Sequence, residues 1–386
     1  MECDNVDEVK LGGLVHIDSG YAFKSSYFNE KEGLPIIRIR DVTSGSISTY
    51  YSGEYDEKYL VENNDILISM DGTFSVRKWS TGKALLNQRV CRIKSLNEKI
   101  LLDDYLYYIL PKYLKKIEDK TSFVTVKHLS VKDINEIFLL LPNIEAQRKT
   151  VLILDKAQEL INKRKKQIEA CDKLIKGLFY DMFGDPVLNN KFTLESLGSV
   201  SLKITDGTHH SPENTKNGVP YITAKHLGSG SLDFYNAPTF ISLEDHKKIF
   251  ARCNPEKGDV LYIKDGATTG IACINHYDFE FSMLSSLALI KTDITKLSSI
   301  YLVSYLNNDQ VKKKVLQDMA GGAIKRLTLK KINAIPILLP PIHLQNRFAE
   351  QVEKIEQQKL RLQQSLTELE NNFKALMQRA FKGELF

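Results

Sequence analysis

The chain has 386 residues, 42% apolar and 26% charged, with 53 basic against 48 acidic side chains and a net charge of +5. That length supports two or three separately cored domains, and the composition excludes disordered and fibrous classes. The mild basicity permits nucleic-acid binding without demanding it, and no apolar run reaches the roughly 20 residues that span a bilayer.

The start, Met-Glu-Cys-Asp-Asn-Val-Asp-Glu, is acidic and polar, unlike a secretory signal. Cys3, Cys91, Cys171, Cys253 and Cys273 are scattered, with no C-x-x-C pair or Cys/His cluster. This argues against zinc and disulfides and for a reducing cytoplasm. From about residue 7 to 142, short β-rich runs alternate with polar turns. Pro35-Ile-Ile-Arg-Ile-Arg and Asp65-Ile-Leu-Ile-Ser read as strands. Asp103 to Glu118 reads as a helix with an apolar face built from Leu106, Tyr107, Ile109, Leu110 and Leu114. A long helix follows from Glu145 to Phe183, ended by Gly184-Asp-Pro186, where glycine caps and proline forbids continuation. From about 192 to 340 the pattern returns, with strands at Pro220-Tyr-Ile-Thr-Ala and Asp259-Val-Leu-Tyr-Ile and a helix from Ser299 to Val315. A second long helix runs from Leu344 to Phe381.

This return is a true repeat. Leu129-Ser-Val-Lys-Asp-Ile-Asn-Glu-Ile-Phe-Leu-Leu-Leu-Pro142 reappears as Leu327-Thr-Leu-Lys-Lys-Ile-Asn-Ala-Ile-Pro-Ile-Leu-Leu-Pro340, an offset of 198 that also carries Gln147 onto Gln345. Nearer the front the offset drifts to 194 for Asn64-Asp-Ile-Leu-Ile-Ser-Met-Asp-Gly72 and 185 for Gly33-Leu-Pro-Ile-Ile-Arg. A constant back with a variable front indicates a front that binds something different in each copy. The fold class expected is α+β, with two small mixed domains, each followed by a helix of about 38 residues, or roughly 57 Å.

Steps of three and four from Leu154 reach Ala157, Ile161, Arg164, Ile168, Cys171, Ile175, Leu178 and Met182. At +198 the set is Val352, Ile355, Lys359, Leu362, Leu366, Leu369, Phe373, Leu376 and Ala380. A seam of this period predicts a coiled coil, and pairing between the copies requires the helices to be antiparallel, giving a pseudo-twofold repeat. The polar seam residues Arg164 and Lys359 either fix register or carry their charge outward, the second reading being preferred. Phe179, Tyr180, Phe183, Met377 and Phe381 add apolar groups beside the seam near the helix ends and are candidates for docking partner subunits.

Catalytic constellations are missing. The sequence has no phosphate-binding glycine loop and no Asp/Asn-Pro-Pro-aromatic tetrapeptide. His209-His210 in Asp206-Gly-Thr-His-His-Ser-Pro212 reads as a binding loop rather than a catalytic or metal site. Asp71-Gly72 and Asp265-Gly266 read as tight turns. Residues suited to DNA fall at matching points of both copies. In the first domain they are Lys24, Arg38, Arg40, Arg77, Lys78, Ser122 and Lys127, with Trp79 equally a core residue. In the second they are Thr208, His209, His210, Lys225, His226, Lys264, Thr268, Thr269, Lys325 and Arg326.

Together these features resemble the specificity subunit of type I restriction-modification enzymes. The carriers are Ile137-Phe-Leu-Leu-Leu-Pro-Asn-Ile-Glu-Ala-Gln147, Ile335-Pro-Ile-Leu-Leu-Pro-Pro-Ile-His-Leu-Gln345, Leu178-Phe-Tyr-Asp-Met-Phe-Gly-Asp-Pro186 and Ala380-Phe-Lys-Gly-Glu-Leu385. Asp206-Gly-Thr-His-His-Ser-Pro212 looks like an opening motif of target-recognition domains, from which the first domain departs at Asp18-Ser-Gly-Tyr-Ala-Phe-Lys24. The resemblance implies target-recognition domains over 1–143 and 185–341 and spacer helices over 144–184 and 342–386. It implies a non-catalytic, cytoplasmic chain that reads a bipartite site in double-stranded DNA, with the helices as ruler. Two modification subunits would supply S-adenosylmethionine and adenine methylation, and restriction subunits ATP- and Mg-dependent translocation and cleavage; this chain would bind no cofactor or metal. The rival classes are a self-sufficient nuclease or methyltransferase and a protein-binding coiled-coil scaffold. A rod of about 57 Å spans about 17 base pairs. Inserting four residues after Lys165 is therefore expected to lengthen the unread gap and leave both half-sites unchanged, as read by mapping methylated sites. Altered half-sites with a constant gap would refute the ruler.

Overall fold

The computed structural model describes residues 7–120, 127–188, 191–228, 230–317, 326–382 and 384–385. Ser122 and Lys325 lie outside them. The chain forms two compact units, one combining residues up to Arg164 with those from Ser365 onward, the other running from Lys165 to Gln364.

In the first unit, β1 (Asp7–Lys10) and β2 (Val15–Ser19) lead to β3 (Leu34–Ile37), the short α1 (Ile39–Ser44), β4 (Ile66–Ser69), β5 (Val76–Lys78), β6 (Ala84–Leu86) and β7 (Val90–Ser95). A four-stranded antiparallel sheet has the order β2-β7-β4-β5, and β3 runs parallel to β6 in a second sheet. Then come α2 (Asp103–Lys120), α3 (Val131–Asn135), β8 (Phe138–Leu141), which pairs antiparallel with β1, and α4 (Ile144–Phe183). Ser130 begins α3 because its hydroxyl accepts from the Asp133 amide while the Asp133 carboxylate accepts from the Ser130 amide.

The second unit repeats this plan with β9 (Thr193–Ser196), β10 (Ser201–Asp206), β11 (Val219–Ile222), α5 (Leu243–Phe250), β12 (Val260–Ile263), β13 (Ala272–Ile274), β14 (Ser282–Met283) and β15 (Leu287–Thr292). The antiparallel sheet has the order β10-β15-β12-β13, the counterpart of the first, and β11 runs parallel to β14. Next are α6 (Ser299–Leu306), α7 (Asp309–Gln317), α8 (Leu329–Asn333), β16 (Pro336–Leu339), which pairs antiparallel with β9, and α9 (Ile342–Ala380). The single helix expected from Ser299 to Val315 is thus two. Asn307 turns its amide onto the Ala272 backbone and Asn308 caps the next helix by accepting from the Gln310 amide, so the backbone breaks there.

The repeated glutamine explains why the back of each copy keeps its length. Gln147 and Gln345 are fully buried at the starts of the long helices. Gln147 donates to the carbonyls of Ile100 and Pro142 and accepts from the Leu102 amide, at 2.8, 2.9 and 2.9 Å. Gln345 does the same with Lys296, Pro340 and Ser298, at 3.0, 2.8 and 3.0 Å. Each amide ties helix, strand end and loop together, and its loss would bury three unpaired backbone groups.

The long helices follow the predicted seam: every position named from Leu154 to Met182 and from Val352 to Ala380 is buried or half-buried. In the second unit the helices run antiparallel, since Phe179 and Phe183 meet Phe348 while Asp172 meets Lys359. Lys359 is therefore no outward-carried charge. Burial opposes its ionisation, but the Asp172 hydrogen bond together with the charges of Asp172 and Glu356 raises its pKa, marking a register-setting pair.

The helix ends overturn the docking assignment of three aromatic residues. Phe179 and Phe183 are buried in the second core, and Phe381 is buried in the first. Phe183 stands edge-on to Tyr301 at 4.9 Å, and Phe381 edge-on to the equivalent Tyr105 at 5.7 Å. Lys112 caps the end of α9 by donating to the Phe381 carbonyl. Met377 is half-buried against the same core, and Tyr180, 39% exposed, accepts from the Asn308 amide. The domain helices α2 and α6 present aromatic faces that need an apolar cover, and the helix ends supply it. Phe381→Ala is expected to cost about 3–5 kcal/mol and to speed amide exchange in α2 but not α6, with Phe183→Ala giving the reverse. Faster exchange in the wrong helix would contradict this closure.

Candidate nucleic-acid interface

Each domain opens on a loop held against its sheet by an obligatory glycine. A Cβ on Gly20 would sit 2.1 Å from the Asn87 carbonyl oxygen, and one on Gly207 would sit 1.8 Å from that of Met283. The next residues, Tyr21 and Thr208, bridge to Asn87 and Leu284 in the same parallel sense. Gly20 and Gly207 are therefore equivalent, and Ser19, opposite Cys91, occupies the place of Asp206, opposite Ala288. The apparent match of Asp18 to Asp206 is out by one residue. Asp18 instead pairs with Arg92 and His16; burial pushes its carboxyl up, but the hydrogen bonds and charges of Arg92 and His16 together hold it below the usual range.

In the second domain Asp206 anchors a charged network. Its carboxylate, 4% exposed, takes Arg252 at 3.0 Å, Lys264 at 3.3 Å and His209 at 3.5 Å. Arg252 also donates to the Asp206 and Gly207 carbonyls, clamping the loop. Lys264 is buried between Asp206 and Asp265 and is a structural cation, not a free reader.

Beside the opening loop, each predicted Asp-Gly turn meets the segment that leads into the short helix α3 or α8. Asp71 bridges to His128 and Asp265 to Arg326 in antiparallel fashion, with the Leu129 amide donating to the Met70 carbonyl and the Leu327 amide to that of Lys264. In the second domain a concave surface lined by His209, Asp265, Leu284, Ser285, Ser286 and Arg326 joins turn and loop.

The candidate readers divide by burial. Lys24, Arg38, Arg40, His209, His210, Lys225, Thr268 and Arg326 are exposed, Arg40 with one guanidinium nitrogen on Thr49. Thr208 is half-buried and folds its hydroxyl onto His210. Several others are occupied within the fold. Arg77 binds the Val42 and Thr43 carbonyls at the end of α1, and Lys78 pairs with Asp104 of α2. Lys127 is half-buried beside Glu118. Trp79 is a core residue whose indole donates to Gly82. Thr269 is buried and donates to the Gly266 carbonyl, holding the turn. His226 is buried too, accepting from the Thr223 amide at 3.0 Å and facing the Ala237 carbonyl at 2.9 Å. Sequence reasoning missed His128, Arg89, Asp206 and Arg252; only the 198-residue offset, which sets His128 on Arg326, could have flagged the first.

Groups suited to other chemistry are sparse. Among the described residues no His, Cys, Asp and Glu side chains are grouped to hold a metal, and no helix is long and apolar enough to cross a membrane. Burial pushes the thiols of Cys91, Cys253 and Cys273 up to about 12, far from a reactive thiolate.

The profile of the type I restriction modification DNA specificity domain matches residues 4–170 and again residues 186–371. The chain belongs to that family. It is similar to the EcoBI specificity subunit of Escherichia coli, 28% identical over 98% of this chain and 85% of that one. It is similar also to the MjaIX specificity subunit of Methanocaldococcus jannaschii, at 25% identity over 74% and 69%. Its fold resembles the crystal structure of the type I S subunit of M. genitalium, with a TM-score of 0.57, 17% identity and coverage of 99% and 98%. A chain from a structural study of type I complex assembly and conformational transition gives 0.56 at 18% identity, covering 98% of each. The protein is thus a type I specificity subunit with two target-recognition domains, and its role is DNA sequence specificity.

In this subunit His226 positions a loop rather than reading bases. Burial lowers its pKa from the ordinary 6.5, so the folded ring stays neutral. The unfolded chain takes up a proton near pH 6.5 while the folded ring resists, so stability is lost as pH falls through 6.5 toward the folded value. The melting temperature of the second unit should therefore drop between pH 7.5 and 5.5, and drop less in His226→Asn. An equal drop in both proteins would remove His226 as the cause.

Proposed function

We propose that this subunit reads an asymmetric, split DNA site, one half-site by each domain, with the long helices setting the unread gap. It docks two modification subunits and, through the assembled complex, restriction subunits. Those partners carry S-adenosylmethionine, ATP and Mg and perform adenine methylation, translocation and cleavage. This chain contributes recognition without catalysis, in the cytoplasm. One observation carries the reading: the two copies share the glutamine, glycine and aromatic contacts that support their frames, yet differ in the side chains beside them. Gln147 and Gln345 hold equivalent loops, whereas the opening loop presents Tyr21 in one domain and Thr208 with His209 in the other. A constant frame with different exposed groups suits two different half-sites. Lys24, Arg38 and Arg40 in the first domain, and His209, His210, Lys225, Thr268 and Arg326 in the second, are the exposed candidates for base and phosphate contacts.

The test is to assemble the chain with modification subunits and map methylated adenines by single-molecule sequencing. The expected result is a split, non-palindromic motif methylated on both strands. A stable complex without methylation would favour a scaffold, and DNA binding without sequence preference or salt dependence would support it. Methylation by the purified chain alone would reveal an active site of its own.

A further inference from the structure

The Asp-Gly turns do more than reverse the chain. In the first domain Asp71 is 20% exposed; its Oδ1 lies 2.6 Å from Nδ1 of His128 and its Oδ2 lies 3.4 Å from Nε of Arg89. In the second, Asp265 is 22% exposed; its Oδ1 lies 3.4 Å from Nε of Arg326 and its Oδ2 lies 3.5 Å from Nζ of Lys264. The partners on the antiparallel bridges are exposed, His128 at 52% and Arg326 at 58%; of the second cations, Arg89 is exposed as well and Lys264 is buried. Two domains with different front loops thus share one device: a sunken carboxylate that holds two cations, one of them a basic side chain standing into solvent on an antiparallel bridge.

We infer that these pairs are the same base-reading element in the two domains, with the aspartate as positioning residue and His128 or Arg326 as the side chain that meets the base edge. The inference rests on the split-site reading above. Arg326 Nε faces Asp265 and the side chain is 58% exposed, so the two terminal nitrogens are available as a parallel pair of donors. That fork matches O6 and N7 of guanine in the major groove and no other base edge equally. Oδ1 of Asp265 is buried and has no hydrogen-bond donor among the described residues, so it has capacity left to tighten on the guanidinium. His209, Ser285 and Ser286 line the concave surface beside it. In the first domain the same frame presents an imidazole Nε2, with Nδ1 committed to Asp71. A single ring nitrogen cannot make the forked contact, so the two half-sites differ at this point.

The experiment maps the methylated motif of the full chain in complex with modification subunits, for the wild type, Arg326→Gln, Arg326→Lys, Asp265→Asn and His128→Gln. The expected wild-type motif has a guanine in the second half-site whose discrimination falls by about 10- to 100-fold in Arg326→Gln. The first half-site and the gap should stay unchanged. Arg326→Lys should retain part of the preference through its charge, and Asp265→Asn should weaken selection at that same base pair. His128→Gln should alter the first half-site alone. If the wild-type motif is split but every variant keeps it, the inference is overturned while the split-site reading stands. A wild type with no split motif overturns the reading beneath it. Should Asp265→Asn fail to assemble, the two variants of the exposed Arg326 still decide the matter.

Discussion

The structure depends on each domain having its aromatic helix covered by a long-helix end. Tyr105 in α2 and Tyr301 in α6 occupy equivalent places, and each meets a phenylalanine at the end of a long helix, Phe381 and Phe183 respectively. Phe381 lies at the far end of the sequence from Tyr105, so the first core is completed only when the chain returns. A buried aromatic group is worth several kcal/mol, so the helices cannot be treated as rods attached to finished domains. They are part of both cores. This is why the compact units cut across the sequence repeat, each taking in portions of α4 and α9.

The same constraint separates what the helices carry inward from what they leave in solvent. Phe179, Phe183 and Phe381 near the helix ends face the cores, and Tyr180 stays at the surface. The positions flanking the seam are mostly charged and exposed, with single exposed leucines such as Leu152, Leu160 and Leu174 on α4. Lys359 shows how a polar residue enters the seam without disrupting it: Asp172 on the facing helix takes its charge. Such a pair adds little net stability but penalises a slipped register, because a slip would leave a half-buried ammonium unpartnered.

The recognition surfaces follow the opposite rule. Their backbone is determined tightly, by Gly20 and Gly207 against neighbouring carbonyls and by the bridges Asp71 to His128 and Asp265 to Arg326. Their side chains vary freely between the copies. A rigid frame reduces the ordering cost of meeting a ligand, and it lets the side chains it carries change without disturbing the fold. The buried Lys264 and the exposed Arg252 both belong to the frame, since they hold Asp206 and the opening loop in place.

Sequence alone determined the repeat, the long helices with their 3.5-residue seam and the glycine stop at Gly184. These are legible because they are local or periodic: hydrophobic spacing and cap chemistry act within a few residues. The family could be read from the same segments, because the constant back of each copy carries them. Only the tertiary structure decided which polar residues stay in solvent. Lys264, His226, Arg77 and Thr269 have the composition of DNA-reading residues, yet each satisfies a buried carboxylate or backbone group brought to it from elsewhere in the chain or held beside it in a turn. Only the structure paired His128 with Asp71, 57 residues apart, and turned Phe183 and Phe381 inward. Burial and long-range pairing depend on the closed core, and no local pattern encodes which element will cover a given side chain.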